Sequence, residues 1–166
     1  MAEEIINRVK QNTKLQNLDL EAYYPDQISD LDIKQFLHME LILKEADFRE
    51  KVEQFNWDQY REKTVAVYCS SDAIVAPWAY MLIASKLNGL ARDIYIAQPD
   101  TAAEIAMLKK LDGQDWSAYT DKFVMIKGCS DKPVSPSVYA AVTNLLQPYA
   151  RKIMYGEACS NVPIWN

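Results

Sequence analysis

The stretch Trp57–Thr101, WDQYREKTVAVYCSSDAIVAPWAYMLIASKLNGLARDIYIAQPDT, decides how this chain is read, because the chain carries it twice. A shift of 59 residues places Trp57 on Trp116, Tyr60 on Tyr119, Lys63 on Lys122 and Val65 on Val124. Ser71 and Asp72 fall on Ser130 and Asp131, Val75 on Val134, Pro77 on Pro136 and Tyr80 on Tyr139. Leu87 meets Leu146, Ala91-Arg92 meets Ala150-Arg151, and Ile94 meets Ile153, which makes 13 identities in 45 ungapped positions. Similarity at a fixed spacing marks a repeated structural unit. Most of the chain is therefore expected to be two copies of one unit.

Each copy has the same plan. A loop with W-x-x-Y-x-x-K leads into a short apolar run, residues 64–68 or 123–127. Runs this short and rich in β-branched and aromatic residues predict strands buried on both faces, as in parallel sheets. A polar turn follows, CSSDAIVAP or GCSDKPVSP. Pro77 and Pro136 then suit the first position of a helix, where the missing N–H leaves nothing unpaired. Ser135 fits the N-cap of the second helix, whereas Ala76 is a poor cap for the first. The helices should stop near Gly89 and Gln147, ahead of second strands at 92–97 and 151–156. Between the copies, Thr101 and Glu104 open a connecting helix through Ile105, Leu108 and Leu111, closed by Gly113.

Alternating strands and helices predict an α/β fold with right-handed crossovers. Two equivalent βαβ units pack most simply with their first strands adjacent, giving one parallel four-stranded sheet of order 2-1-3-4. The organisation is then a single domain, 1–166. It comprises an N-terminal cover at 1–56, a first repeat at 57–101, a connecting helix at 102–115 and a second repeat at 116–160. Within the cover, Ile5, Ile6 and Val9 form a short helical stripe, and Leu18 and Leu20 read as a strand ended by Tyr24-Pro25. Ile33, Phe36 and Leu37 recur at helical spacing. Asp47 with Glu50 resembles a capping box, and Phe48, Val52 and Phe55 mark the buried face of the helix it opens.

Composition narrows the function classes. The chain has 166 residues, a formal net charge of -5 and a charged fraction of 25%. An acidic chain without a Lys/Arg run offers no electrostatic footprint for nucleic acid or anionic membrane. MAEEIINRVKQN lacks the basic start and apolar core of a signal peptide. No apolar run approaches the roughly 20 residues needed to span a bilayer. A cytoplasmic location with free thiols is expected. Four glycines, with no G-x-G-x-x-G and no P-loop, make a phosphate cradle a poor fit. His38 is the one histidine, so no Ser-His-Asp or Cys-His arrangement can be assembled without it.

In open α/β sheets ligands bind beyond the carboxyl ends of the strands. All three cysteines fall at that edge: Cys69 after the first strand, Cys129 after the third, Cys159 after the fourth. Each is followed by serine. With order 2-1-3-4 the three strands are neighbours and the sulfurs converge. Thiolates with a carboxylate or water suit zinc, and iron or an iron–sulfur cluster is chemically open as well. Cys69, Cys129 and Cys159 are the candidate metal ligands. Ser70, Ser71, Ser130 and Glu157 are candidate cofactor contacts, and Asp72 and Asp131 are candidate catalytic carboxylates. Two other readings stay open. One cysteine could act as a nucleophile, its pKa lowered at a helix N-terminus. Alternatively, the cysteines are core residues of a non-catalytic interaction module. Homodimerisation is compatible with each reading.

NWDQYREKTVAVYCSSDAIVAPWAYMLIA, KGCSDKPVSPSVY and IMYGEACSNVPIW, with EADFRE upstream, resemble the bacterial domain-of-unknown-function family 2480. The resemblance covers nearly the whole chain, with Lys127–Pro136 and Ile153–Trp165 its most specific parts. It implies that Cys69, Cys129 and Cys159 belong to the family pattern. It brings no assigned reaction, and it implies a link to iron–sulfur or sulfur handling. Ala76-Pro77 departs from the pattern, which places a proline nearer the first cysteine.

Overall fold

A computed structural model describes residues 14–127, 131–157 and 160–166. The chain is an α/β protein in which the described residues form four α-helices and two sheets. It divides into two compact units. The inserted unit is Pro25–Ala106, and the flanking unit joins the chain up to Tyr24 with Met107–Asn166.

In the inserted unit, β2 (Ile28–Asp32), β3 (Thr64–Tyr68) and β4 (Asp93–Tyr95) form a parallel sheet of order β2-β3-β4. In the flanking unit, β1 (Leu15–Leu18), β5 (Phe123–Ile126), β6 (Lys152–Glu157) and β7 (Ser160–Trp165) form a sheet of order β1-β5-β6-β7. The first three of these run parallel, and β7 returns antiparallel to β6, so this sheet is mixed.

The expected single sheet of order 2-1-3-4 is therefore corrected. The first strand of the first copy, β3, pairs with β2, and the first strand of the second copy, β5, pairs with β1. The segment expected to be a helical cover supplies the missing neighbours. Each central strand thus has its second edge hydrogen-bonded before the other copy could use it. The βαβ order within each copy holds. Helix α2 (Pro77–Leu87) joins β3 to β4, and α4 (Pro136–Leu146) joins β5 to β6, each with proline at the first turn.

Other expectations shift locally. Asp47 does not cap a helix: α1 spans Glu45–Gln54, with Lys44 at the N-cap and no side-chain cap bond. Leu20–Tyr23 and Ile33–Phe36 are single 3₁₀ turns, following β1 and β2. Helix α3 runs from Pro99 to Asp112, starting before Thr101. The Ile5–Val9 stripe lies outside the described residues.

The W-x-x-Y-x-x-K loops have the same role in both units. Each opens with a 3₁₀ turn, Trp57–Tyr60 or Ser117–Tyr119. Trp57 Nε1 donates to the carbonyl of Val52 at 2.9 Å, and Trp116 Nε1 to that of Leu111 at 3.0 Å. Glu62 and Asp121 both hold positive φ, 60° and 59°, an uncommon state for residues with a side chain. Their N–H groups donate to Leu90 O at 2.9 Å and Tyr149 O at 3.1 Å, so the strained turn ties the start of each central strand to the turn behind its helix.

Burial explains why the apolar residues fall where they do. In the inserted unit, Leu31, Phe48, Val52, Val65, Val67, Ile83 and Leu87 are fully buried, with Phe36, Phe55, Trp57 and Trp78 in ring contact around them. In the flanking unit, Val124, Val138, Val142, Leu146 and Ile153 form the centre, joined by Leu18 from β1 and by Met107 and Leu111.

Candidate functional site

The carboxyl edge of the inserted unit is held by Asp32, the last residue of β2. Its Oδ1 accepts the N–H groups of Lys34 and Ser70, both at 3.1 Å, and its Oδ2 accepts the Ser70 hydroxyl at 2.5 Å. Burial alone would raise the Asp32 pKa. The bonds from the Ser70 hydroxyl and from the two N–H groups outweigh it, and the carboxyl is held below its ordinary value. Two residues back, Asp30 accepts the Tyr68 hydroxyl at 3.2 Å. Burial and this bond to a carboxylate push the Tyr68 phenol up.

Cys69 is half-buried on this edge. Its Sγ lies 3.3 Å from the Ser71 hydroxyl and donates to the Ser71 carbonyl at 3.7 Å. Burial, with the nearby Cys69 sulfur second, raises the Tyr80 phenol. Cys69, Ser70 and Ser71 are thus brought together. Asp72 is exposed, and Asp32 is the carboxylate tied to the turn.

The flanking unit has a related arrangement. Asp19, following β1, accepts the N–H of Glu21 at 3.1 Å and the Lys127 ammonium at 2.9 Å. The Lys127 side chain and the Glu21 N–H hold the Asp19 carboxyl below its ordinary value; Lys127 in turn is raised by Asp19. Glu21 accepts the main-chain N–H of Asp131, and Lys132 lies over the Tyr24 ring at 5.2 Å. Asp131 and Glu157 are both exposed. Cys129, Cys159 and Ser130 lie outside the described residues. Among the described residues no group of three His, Cys, Asp or Glu side chains is placed to hold a metal ion. The ground for a three-sulfur convergence, adjacency of the strands before Cys69 and Cys129, falls with the corrected strand order.

Sequence reasoning missed Asp19 and Asp32, although a signal was present. Leu18-Asp19-Leu20 and Leu31-Asp32-Ile33 repeat one short pattern, with Tyr23 and Phe36 ending the two turns. In both, a strand residue is followed by an aspartate that caps the next turn.

The flanking unit also has a cleft of about 370 Å³, with Ile126, Val134, Pro136, Tyr139, Tyr155 and Ile164 among its walls. Tyr139 and Tyr155 meet edge to face, with ring centres 5.6 Å apart and planes at 81°. Ser135 stands at the N-cap of α4 as expected, but its hydroxyl makes no cap bond. That oxygen is buried without a hydrogen-bond partner among the described residues.

The architecture defines an α/β protein of two βαβ-containing units, with no helix among the described residues long and apolar enough to cross a membrane. Over residues 3–166 the chain matches the family described as "Protein of unknown function (DUF2480)", and it belongs to that family. No curated protein and no solved structure matches it.

Proposed function

We propose that the carboxyl edge of the β1-β5-β6-β7 sheet is a thiol site, with Cys129 and Cys159 as sulfur donors to a zinc or iron centre. One observation supports this reading. β5 and β6 are hydrogen-bonded parallel neighbours, with Ile126 opposite Tyr155. Cys129 and Cys159 follow these two register partners by three and four residues in the sequence. Neighbouring strands lie about 4.8 Å apart, a separation that two ligands of one metal can bridge. Asp131 and Glu157 are the oxygen donors nearest these cysteines in sequence, and the metal would serve sulfur or iron–sulfur handling. Cys69 belongs to the other unit, and no strand pairing supports a role for it as a third ligand.

Metal analysis of protein purified without oxygen tests the reading. The expected result is about one zinc or iron per chain, lost in Cys129→Ser and in Cys159→Ser and retained in Cys69→Ser. A parent protein with far less metal than this, or a content indifferent to both substitutions, would sink it.

A further inference from the structure

We infer that the cleft between α4, β6 and β7 is a binding site for a small, uncharged aromatic molecule. This rests on the cleft walls and is independent of the cysteines. At about 370 Å³, the cleft falls within the size range of small-molecule pockets. None of the described residues that line it carries a charge, which favours an occupant that is neutral where it is buried. Tyr139 and Tyr155 set two ring faces at 81° to each other, a corner that a third flat ring can fill by stacking on one and meeting the other edge-on. Thr143 lines the same cleft and donates its hydroxyl to the carbonyl of Tyr139 at 2.8 Å. Its oxygen keeps lone pairs for one donor on the ligand.

The cleft is not forced by the βαβ unit. Under the 59-residue shift, Ala140 corresponds to Met81 and Tyr155 to Ile96. Met81 projects from α2 with 70% of its surface exposed, whereas Ala140 leaves that volume open and lines the cleft. Ile164 closes a further wall from β7, an antiparallel strand with no counterpart in the β2-β3-β4 sheet. A neutral ring carrying one N–H or O–H donor therefore fits here, and a carboxylated or sulfonated ring does not.

Ligand-observed NMR with indole as the probe tests this, with indole-3-sulfonate as the charged control. Wild-type protein should bind indole and discriminate against the sulfonate. Ala140→Met should weaken indole binding by about tenfold or more while leaving the circular dichroism spectrum and melting temperature in place. Should that variant fold poorly, Ala140→Leu fills the same space with a shorter side chain and carries the same expectation. No indole binding by the wild type at millimolar probe, or equal binding by a folded filled variant, overturns the inference. So does a wild-type dimer that excludes indole and dissociates on Ala140→Met, because a second copy would then be the occupant.

Discussion

The Asp32 carboxylate accepts both the main-chain N–H and the hydroxyl of Ser70, at 3.1 and 2.5 Å, across 38 residues of sequence. This fixes the turn that carries Cys69 to the end of the neighbouring strand. Asp32→Ala should cost about 1–2 kcal/mol, the usual cost of removing hydrogen bonds to a charged group at a partly exposed site. Asp72→Ala, in the same turn but exposed, should change stability by less than about 0.5 kcal/mol. Chemical denaturation of the two variants checks the contrast.

The same carboxylate sets a pH dependence. Its folded pKa lies below the ordinary value of 3.8. The stabilisation it gives is therefore complete above that value and is lost as pH falls through the lower, folded one. Wild-type protein should lose stability more steeply than Asp32→Asn on acidification below about pH 4. Melting temperatures measured between neutral and strongly acidic pH read this difference. Parallel curves would remove Asp32 from the account.

Trp116 is buried, and its indole N–H satisfies the carbonyl of Leu111. Trp116→Phe keeps most of the ring and leaves that carbonyl unpaired. A loss of about 1–3 kcal/mol is expected by denaturant titration. Trp57→Phe breaks the matching bond to Val52 in the inserted unit and should cost a similar amount.

Two glycines should respond differently to alanine. Gly156 has a φ of 112°, and a Cβ there would lie 2.7 Å from the Ser160 carbonyl oxygen. Gly156→Ala should destabilise by about 1–3 kcal/mol and loosen the β6–β7 pairing, seen as faster amide exchange along β7. At Gly113 the nearest atom to an added Cβ is 3.7 Å away, so alanine meets only ordinary contact. Gly113→Ala should be neutral or slightly stabilising.

Ser135 reverses the usual expectation for a cap. A serine N-cap replaced by alanine ordinarily costs about 1 kcal/mol. Here the hydroxyl makes no cap bond and is buried without a partner among the described residues. Ser135→Ala should leave the melting temperature unchanged or raise it, because a desolvated hydroxyl is removed and no hydrogen bond is lost.

The strand–helix–strand order was legible because its signals are local. Val65 and Val124, Pro77 and Pro136, and Leu87 and Leu146 mark strand, helix start and helix end in the same order in both copies. β2 was not legible. Ile28-Ser29-Asp30-Leu31-Asp32 has two aspartates and little β-propensity, yet it forms a strand because β3 supplies its hydrogen bonds and Leu31 is fully buried. The same tertiary effect hid the aspartates that anchor the sheet edges. Nothing in the sequence singles out Asp19 and Asp32 as anchors until Lys127 and Ser70 are placed beside them. The serine-aspartate turns, by contrast, drew notice through their repetition, and Asp72 and Asp131 are both exposed.

The division of the chain also orders events in time. Asp19 and Lys127 are 108 residues apart, and everything between Pro25 and Ala106 belongs to the other unit. During synthesis β1 is made first, yet it has no partner until β5 has emerged. The inserted unit, whose strands lie closer together in sequence, can form while β1 waits. Closing the loop from β1 to β5 is then a late, long-range step, slower than pairing within a local hairpin. A nascent chain that has left the ribosome as far as residue 106, with β5 still inside, has all the strands of one sheet available and β1 exposed without its partner, the stage at which a chaperone would have most to protect.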